Sequence, residues 1–128
     1  MSGSGPGPEW DTGVVDGRVP APARGPMSGG YVGILRVELY VPAAGSLKEK
    51  RRHVLHARSQ LERRFGASVA EVDHQDLWQR AALTMVVVRS DHTAAVRCLE
   101  AAERYLSGQF ELAGTRRAVL SVQEDVEL

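Results

Sequence analysis

Residues 31–50 read YVGILRVELYVPAAGSLKEK, and this stretch predicts a strand that leads into a helix. Apolar side chains alternate along its first half, which is the period of a half-buried strand. One predicted face carries Gly33, Leu35, Val37, Leu39 and Val41. Pro42 ends the ladder because it has no N–H to donate. Ser46 and Glu49 form an S-x-x-E capping box, in which each side chain satisfies a free backbone donor at a helix start.

The following residues continue this alternation of strands and helices. The predicted first helix ends at Gly66 and buries Leu47, Val54, Ala57, Leu61 and Phe65. Further strands are predicted at about 67–73, 81–89 and 116–124, with a hairpin between the first two. A second helix is predicted from Asp91 to Gly108. The order β-α-β-β-α-β predicts an α+β, ferredoxin-like fold, a four-stranded antiparallel sheet with two helices on one face.

Composition predicts one domain behind a tail. The chain has 128 residues, of which 43% are hydrophobic and 25% charged, and these values are typical of a single globular domain. The first thirty residues hold 8 of the 13 glycines and 5 of the 6 prolines. They bury too little apolar surface to offset a backbone entropy cost of about 1–2 kcal/mol per residue. We therefore predict a disordered tail at 1–30 and a domain at 31–124.

Several function classes are disfavoured by what the sequence lacks. Sixteen basic and sixteen acidic side chains cancel, so no DNA partner is expected. No apolar run is long enough for a membrane span and no signal peptide is present, which predicts a cytoplasmic location. The single cysteine, Cys98, excludes an internal disulfide. No P-loop, nucleophile elbow or dinucleotide motif occurs, so we predict a non-enzymatic domain without cofactor or metal.

The first helix is strongly basic, with seven Lys or Arg and two Glu between residues 46 and 65. At 100° per residue, one stripe opposite the apolar face carries Lys48, Arg52, His56, Ser59 and Arg63. Lys50 flanks the apolar face and is expected to extend its ammonium to solvent. Cations near a helix start oppose the helix dipole, and a bound phosphate would compensate them. The alternative is a solvated charged face without a ligand.

The segment from Glu71 to Arg80 is the second candidate site. Its predicted binding residues are Asp73, His74, Gln75, Asp76, Trp78 and Arg80. Trp and Arg are enriched at interaction hot spots. In the structural alternative the aspartates hold the turn and Arg80 pairs with Glu71 or Asp73. A metal on Asp73, His74 and Asp76 is disfavoured, because their spacing matches no established metal motif.

The helix-free face of the sheet is the third candidate surface. Alternation predicts that it carries Arg36, Glu38, Tyr40, Val69, Glu71, Asp73, Arg117, Val119 and Ser121. RNA-recognition sheets need aromatic side chains on their central strands, and here Tyr40 is the only one. Pairing with a second sheet, or covering by a partner, fits this mixed face better than RNA does.

Three segments resemble the YlxP-like family of small bacterial domains of unknown function: YVGILRVEL at 31–39, SLKEKRR at 46–52 and SVAEVDHQDLWQRA at 68–81. The resemblance implies a ferredoxin-like fold and a gene setting shared with translation initiation and ribosome maturation factors. It supplies no catalytic residue.

These observations predict a non-enzymatic accessory factor that binds ribosomal RNA or ribosomal protein through the basic stripe and the hairpin. The alternatives are a homodimeric interaction module, a small-ligand regulatory module, or an enzyme that uses the carboxylates of the hairpin.

Overall fold

The computed structural model describes residues 29–42 and 44–127, so most of the predicted tail lies outside the described residues. The elements are β1 (Tyr31–Tyr40), α1 (Leu47–Phe65), β2 (Ser68–Asp73), β3 (Arg80–Arg89), α2 (His92–Gln109) and β4 (Glu111–Ser121). This is the predicted β-α-β-β-α-β order. No helix among the described residues is both long enough and apolar enough to cross a bilayer.

The four strands form one antiparallel sheet in the order β2-β3-β1-β4, which confirms the ferredoxin-like fold. β1 is central and pairs with β3 on one side and β4 on the other. β2 and β4 are the edge strands. Both helices contribute to one core cluster with the same face of the sheet, so no helix of the described residues lies over the other face, which we call the helix-free face.

The core forms where the apolar faces of the strands and helices pack against each other. β1 buries every second residue from Gly33 to Leu39, as its alternation predicts. α1 places Val54, Ala57 and Leu61 against the sheet, and α2 places Leu99, Ala102 and Leu106 beside them. Burial of a side chain of this kind contributes about 1.5–3 kcal/mol.

The predicted helix ends are confirmed for α1. The Ser46 Oγ accepts from the Glu49 N–H at 3.2 Å, and Gly66 has the left-handed φ of 63° that lets the helix stop there. Asp91 caps α2 by accepting from the Ala94 N–H at 2.8 Å. α2 ends at Gln109, one residue beyond the predicted Gly108.

The predicted start of β4 was wrong. The strand begins at Glu111 instead of about 116 and ends at Ser121, and a turn follows it. Its first residues include alanine and glycine, which have low strand propensity, but they pair with the far end of β1. Cross-strand pairing therefore outweighs local preference here.

Part of the predicted helix-free face was also wrong. Val119 and Arg117 lie opposite Gly33 and Leu35 on the helix side, and Arg117 contacts Glu100 of α2. The residues of β4 that face away from the helices are Arg116, Ala118 and Leu120. The predicted alternation of side chains along β4 was correct, but the two faces of the strand were exchanged.

The predicted face was also wrong for part of β2, which has a β-bulge between Glu71 and Asp73. Val69 and Glu71 lie on the helix side, where Val69 is buried opposite Met85. The extra residue of the bulge, Val72, returns Asp73 to the helix-free face. The predicted position of Asp73 is thus correct, whereas those of Val69 and Glu71 are not.

Candidate functional site

The side chain of Lys50 is completely buried. The prediction that its ammonium extends to solvent was therefore wrong. Its helical position places it one turn before Val54 on the face that meets the sheet. The Nζ donates to Glu71 Oε2 at 2.9 Å and to the backbone carbonyls of His74, Gln75 and Arg80 at 2.9, 3.3 and 3.2 Å. Three N–H bonds are thus shared among four oxygens, so the ammonium exchanges its hydration for protein acceptors.

Because three of these acceptors are main-chain carbonyls, Lys50 fixes the path of the β2–β3 hairpin. The His74 carbonyl also accepts from the Leu77 N–H at 3.0 Å, and the Gln79 carbonyl accepts from the Val41 N–H at 2.8 Å. The loop is therefore held from α1, from its own turn and from the end of β1. A loop anchored in this way loses little conformational entropy when a partner binds.

His74 is the only non-glycine residue with a positive φ in the described part of the chain, at 62°. Its backbone N–H donates to the Asp73 Oδ1 at 2.8 Å, which supports the turn as predicted for Asp73. The left-handed conformation directs the imidazole back over the helix-free face. There its Nε2 lies 2.8 Å from the Glu38 Oε1.

Glu38 is the centre of an ionic cluster at this end of the helix-free face. Its Oε2 accepts from the Arg36 Nη1 at 2.7 Å, and its Oε1 lies 3.4 Å from the Arg80 Nη2. Asp73 completes the cluster, 3.9 Å from Arg36 and from the His74 Nδ1. The predicted partners of Arg80 were Glu71 or Asp73, and the structure corrects this to Glu38, because Glu71 faces α1.

The environment of Glu38 lowers the pKa of its carboxyl below the ordinary value of 4.5. The hydrogen bond from Arg36 is the main cause, and the contact with His74 adds to it, while burial opposes both. The carboxylate is therefore ionised at neutral pH and acts as the acceptor that holds Arg36, His74 and Arg80 together.

The tip of the hairpin is apolar and exposed. Leu77 and Trp78 are 46% and 50% exposed, although the loop that carries them is fixed. Asp76 and Gln75 lie beside them and are also exposed. An exposed indole on a fixed loop is a side-chain arrangement found at protein interfaces.

The cationic stripe on α1, composed of Lys48, Arg52, His56, Ser59 and Arg63, points away from the sheet. All members except Ser59 are exposed, and Leu55 beside them is 61% exposed. None of its four basic side chains makes an ion pair with a described residue, whereas Arg58 lies 4.0 Å from Glu62. At 1.5 Å per residue the stripe is about 22 Å long.

The predicted binding residues thus occupy two surfaces. Asp73, His74 and Arg80 come together around Glu38, and Gln75, Asp76 and Trp78 lie on the hairpin next to them. Lys48, Arg52, His56 and Arg63 lie on the outer side of α1, with no hydrogen bond to the hairpin among the described residues.

Sequence reasoning missed the two residues that organise the hairpin. Lys50 could have been found from its spacing to Val54, Ala57 and Leu61, which places it in the apolar stripe of the helix. Glu38 was placed on the correct face, but its contacts depend on the bulge in β2 and on the left-handed His74, and no local pattern predicts either.

The described residues contain no group of three or more His, Cys, Asp or Glu side chains placed to hold a metal. A shallow cavity of about 290 Å³ lies beside the end of β1, where Tyr40, Val41, Pro42 and His53 face Phe110 and Glu111. The ionic cluster contains a histidine and carboxylates, but no serine, threonine or cysteine of the described residues forms a hydrogen bond with them.

The family of the chain is decided by its match over residues 32–118 to the family described as "Protein of unknown function (DUF503)". The chain belongs to this family. The DUF503 match includes β1, both helices, the hairpin and most of β4. The uncharacterised protein YlxP of Bacillus subtilis (strain 168) is 30% identical over 69 residues, which are 54% of this chain and 75% of YlxP.

Solved structures with a similar arrangement are distant. SnoaB, a cofactor-independent oxygenase from Streptomyces nogalater, is 13% identical with a TM-score of 0.41, and the match covers 78% of this chain and 100% of SnoaB. The de novo designed protein Ferredog-Diesel is 11% identical with a TM-score of 0.43, covering 80% of this chain and 98% of the design. Likeness at this level carries no information about the activity of the DUF503 domain.

Proposed function

We propose that this domain is a non-enzymatic accessory factor that binds structured RNA of the translation apparatus through the cationic stripe on α1. The observation that carries the proposal is the exposure of Lys48, Arg52 and Arg63 without any ion pair to a described residue. The link to translation comes from the family resemblance given under the sequence analysis. A cytoplasmic location follows from this function.

The charge distribution within α1 supports a phosphate ligand. The Glu49 carboxylate accepts from the Gly45 N–H and Glu62 lies near Arg58, so both acidic side chains of α1 are engaged away from the stripe. Neutralising phosphates releases counterions from RNA and yields an affinity that falls steeply with salt. A line of basic groups about 22 Å long can contact several successive phosphates of one RNA helix.

Co-sedimentation with purified 30S and 50S subunits at low and high salt tests this proposal. The wild-type chain should bind one subunit at low salt. The variant Arg52→Ala/Arg63→Ala should bind at least 10-fold more weakly, with a log–log salt slope reduced by about 2. Binding unchanged by this double substitution would disprove a role for the stripe.

The control variant is Arg97→Ala/Arg104→Ala, which removes two exposed arginines from α2. It loses the same charge from the same kind of element, and neither arginine makes an ion pair with a described residue. Its affinity should stay within about 2-fold of the wild type. An equal loss in both variants would indicate attraction by net charge alone.

A second candidate function is favoured by the hairpin, whose fixed loop exposes Leu77 and Trp78. The neighbouring Asp76 would repel phosphates, so the tip fits a ribosomal protein better than RNA. Trp78→Ala should then weaken subunit binding at high salt, where the contribution of the stripe is screened. Wild-type binding by Trp78→Ala at high salt would exclude this contact.

A further inference from the structure

The shallow cavity of about 290 Å³ beside the end of β1 lies where β1, β4 and both helices meet. β1 and the two residues after it supply Tyr40, Val41 and Pro42, while β4 supplies Glu111 and α1 supplies His53. The end of α2 supplies the remaining lining residues, Ser107, Gly108, Gln109 and Phe110. The wall thus combines aromatic and aliphatic side chains with a few polar groups, as the walls of small-ligand sites do.

A carboxylate and an aromatic ring lie side by side in this cavity. Glu111 and Tyr40 are directly opposite each other in the pairing of β4 with β1, and side chains paired in this way have Cβ atoms about 4.5–5.5 Å apart. Tyr40 is 39% exposed, and Glu111 is exposed and makes no ion pair with a described residue. The neighbour of Tyr40 on its other side, Arg80, is held at Glu38. The Glu111 carboxylate is therefore accessible to a ligand.

The last turn of α2 adds hydrogen-bond acceptors. The Leu106 carbonyl accepts from the Phe110 N–H at 2.8 Å, and the three carbonyls that follow it have no partner further along the helix. This turn contains no basic residue, so its partial negative charge is not balanced within the helix. No lysine or arginine is among the described residues that line the cavity. Acceptors and negative charge thus border it, which favours a cationic ligand.

We propose that this cavity binds a guanidinium group, carried either by a free small molecule or by an arginine side chain of another protein. A guanidinium is planar and can donate two parallel N–H bonds to the Glu111 carboxylate. It stacks on aromatic rings such as that of Tyr40, and it is more weakly hydrated than an ammonium, so it leaves water at a lower cost. Val41 and Pro42 offer an apolar wall to the attached carbons.

Other ligand classes fit this cavity less well. An anion would be repelled by Glu111 and by the end of α2. A metal ion is disfavoured because Glu111 is the one carboxylate among the described residues that line the cavity. RNA is proposed to bind the outer side of α1, whereas His53 lies on the side of α1 that meets the end of α2. The guanidinium site therefore does not depend on the proposed function.

A nuclear magnetic resonance titration of the isotope-labelled full chain with butylguanidinium tests the site. Amide signals of residues 40, 41, 53 and 107–111 should shift, with a dissociation constant of about 1 mM for a ligand of this size in a shallow site. Butylurea has the same shape without the charge and should bind at least about 10-fold more weakly. Absence of these shifts at about 20 mM butylguanidinium, or an equal response to butylurea, would overturn the proposal.

Glu111→Gln tests the carboxylate. The variant should raise the dissociation constant of butylguanidinium about 10-fold, because it removes the charge and one acceptor of the bidentate pair. Glu124→Gln is the matched control, since Glu124 is an exposed glutamate in the turn after β4 and does not line the cavity. Both side chains are exposed, so both variants should fold, and the amide spectrum checks this. Equal losses in the two variants would indicate attraction by net charge and overturn the site.

Tyr40→Leu tests the aromatic wall. Leucine keeps an apolar side chain in the cavity but has no π face, so the dissociation constant should rise about 3-fold. Binding of butylurea should not weaken, because an uncharged ligand gains no cation–π attraction. A dissociation constant for butylguanidinium that stays at the wild-type value would overturn the stacking on Tyr40.

A second probe distinguishes the two carriers of the guanidinium. A capped alanine-arginine-alanine tripeptide represents an arginine of another protein, and butylguanidinium represents a free small molecule. Binding of the tripeptide about 10-fold more tightly than butylguanidinium would support a protein partner. Exclusion of the tripeptide from a cavity that binds butylguanidinium would support a small molecule, and failure of both probes to bind would overturn the site.

Discussion

The ammonium of Lys50 lies 2.9 Å from the carboxylate of Glu71, at the point where the first turns of α1 meet the start of the hairpin. The lysine side chain is fully buried and that of the glutamate is 19% exposed. This pair joins the helix to the segment that carries most of the predicted binding residues. The stability of the fold and the position of the hairpin therefore depend on the same contact.

Replacement of Lys50 by Ala should destabilise the protein by about 3–5 kcal/mol, because Glu71 and three carbonyls lose a buried partner. Urea unfolding measures this change. Lys48→Ala is the control, since Lys48 is exposed on the same helix, and its effect should stay within about 0.5 kcal/mol. Equal effects of the two variants would contradict the buried pair. Hydrogen exchange should also rise at residues 74–80 in Lys50→Ala.

Glu38 should make the fold less stable in acid. Its pKa is lower in the folded protein than the ordinary 4.5, so between the two values the unfolded chain binds more protons than the folded one. The contribution of Glu38 is fully present above pH 4.5 and is lost as the pH falls through the folded pKa. Unfolding free energies measured from pH 6 to pH 3 should fall more steeply for the wild type than for Glu38→Gln.

Glu111→Gln is the control for this experiment. Glu111 is exposed at the start of β4 and makes no ion pair with a described residue. Its pH profile should run parallel to that of the wild type. A Glu38→Gln profile that is also parallel would mean that the cluster around Glu38 does not favour the ionised carboxylate.

The left-handed backbone of His74 predicts an order for two substitutions. His74→Ala and His74→Gly both remove the imidazole that contacts Glu38, so they differ only in the backbone. At a φ of 62° alanine is strained and glycine is not. After allowance for the greater entropy of glycine in the unfolded chain, the glycine variant should be more stable by about 0.5–1 kcal/mol. Thermal or urea unfolding that ranks alanine above glycine would refute a strained turn.

Two glycines should respond oppositely to alanine. At Gly33 a Cβ would lie 3.1 Å from Val87 and 3.2 Å from Leu99, so Gly33→Ala should cost about 1–3 kcal/mol by forcing β1 and α2 apart. At Gly108 the added Cβ would meet no atom within 4 Å outside the neighbouring backbone of its own helix, and helix propensity favours alanine there by about 0.5–1 kcal/mol. Urea unfolding of the two variants should therefore show shifts of opposite sign.

The parts of the structure that depend on local pattern could be predicted from the sequence. The alternation in β1, the capping box at Ser46 and Glu49 and the stop at Gly66 each involve residues within a few positions of one another. The order of elements follows from them. The ferredoxin-like fold is therefore already contained in the spacing of apolar residues and helix ends.

The details that depend on register could not be predicted. A strand with apolar residues on both faces, such as β4, has no local signal for its phase, and the assignment of Arg117 was reversed for this reason. The bulge at Val72 moves Asp73, the last residue of β2, to the helix-free face. The partners of Glu38 come from β1, the hairpin and β3, so the ionic cluster exists only when the sheet has formed.

The hairpin is held chiefly through its main chain, so its backbone path depends little on which side chains it carries. Lys50 binds the carbonyls of His74, Gln75 and Arg80, and every amino acid offers the same carbonyl at those positions. The tip at 76–78 can therefore accept foreign side chains while its path stays fixed from below. This makes the domain a natural scaffold on which short recognition peptides could be displayed in one defined conformation.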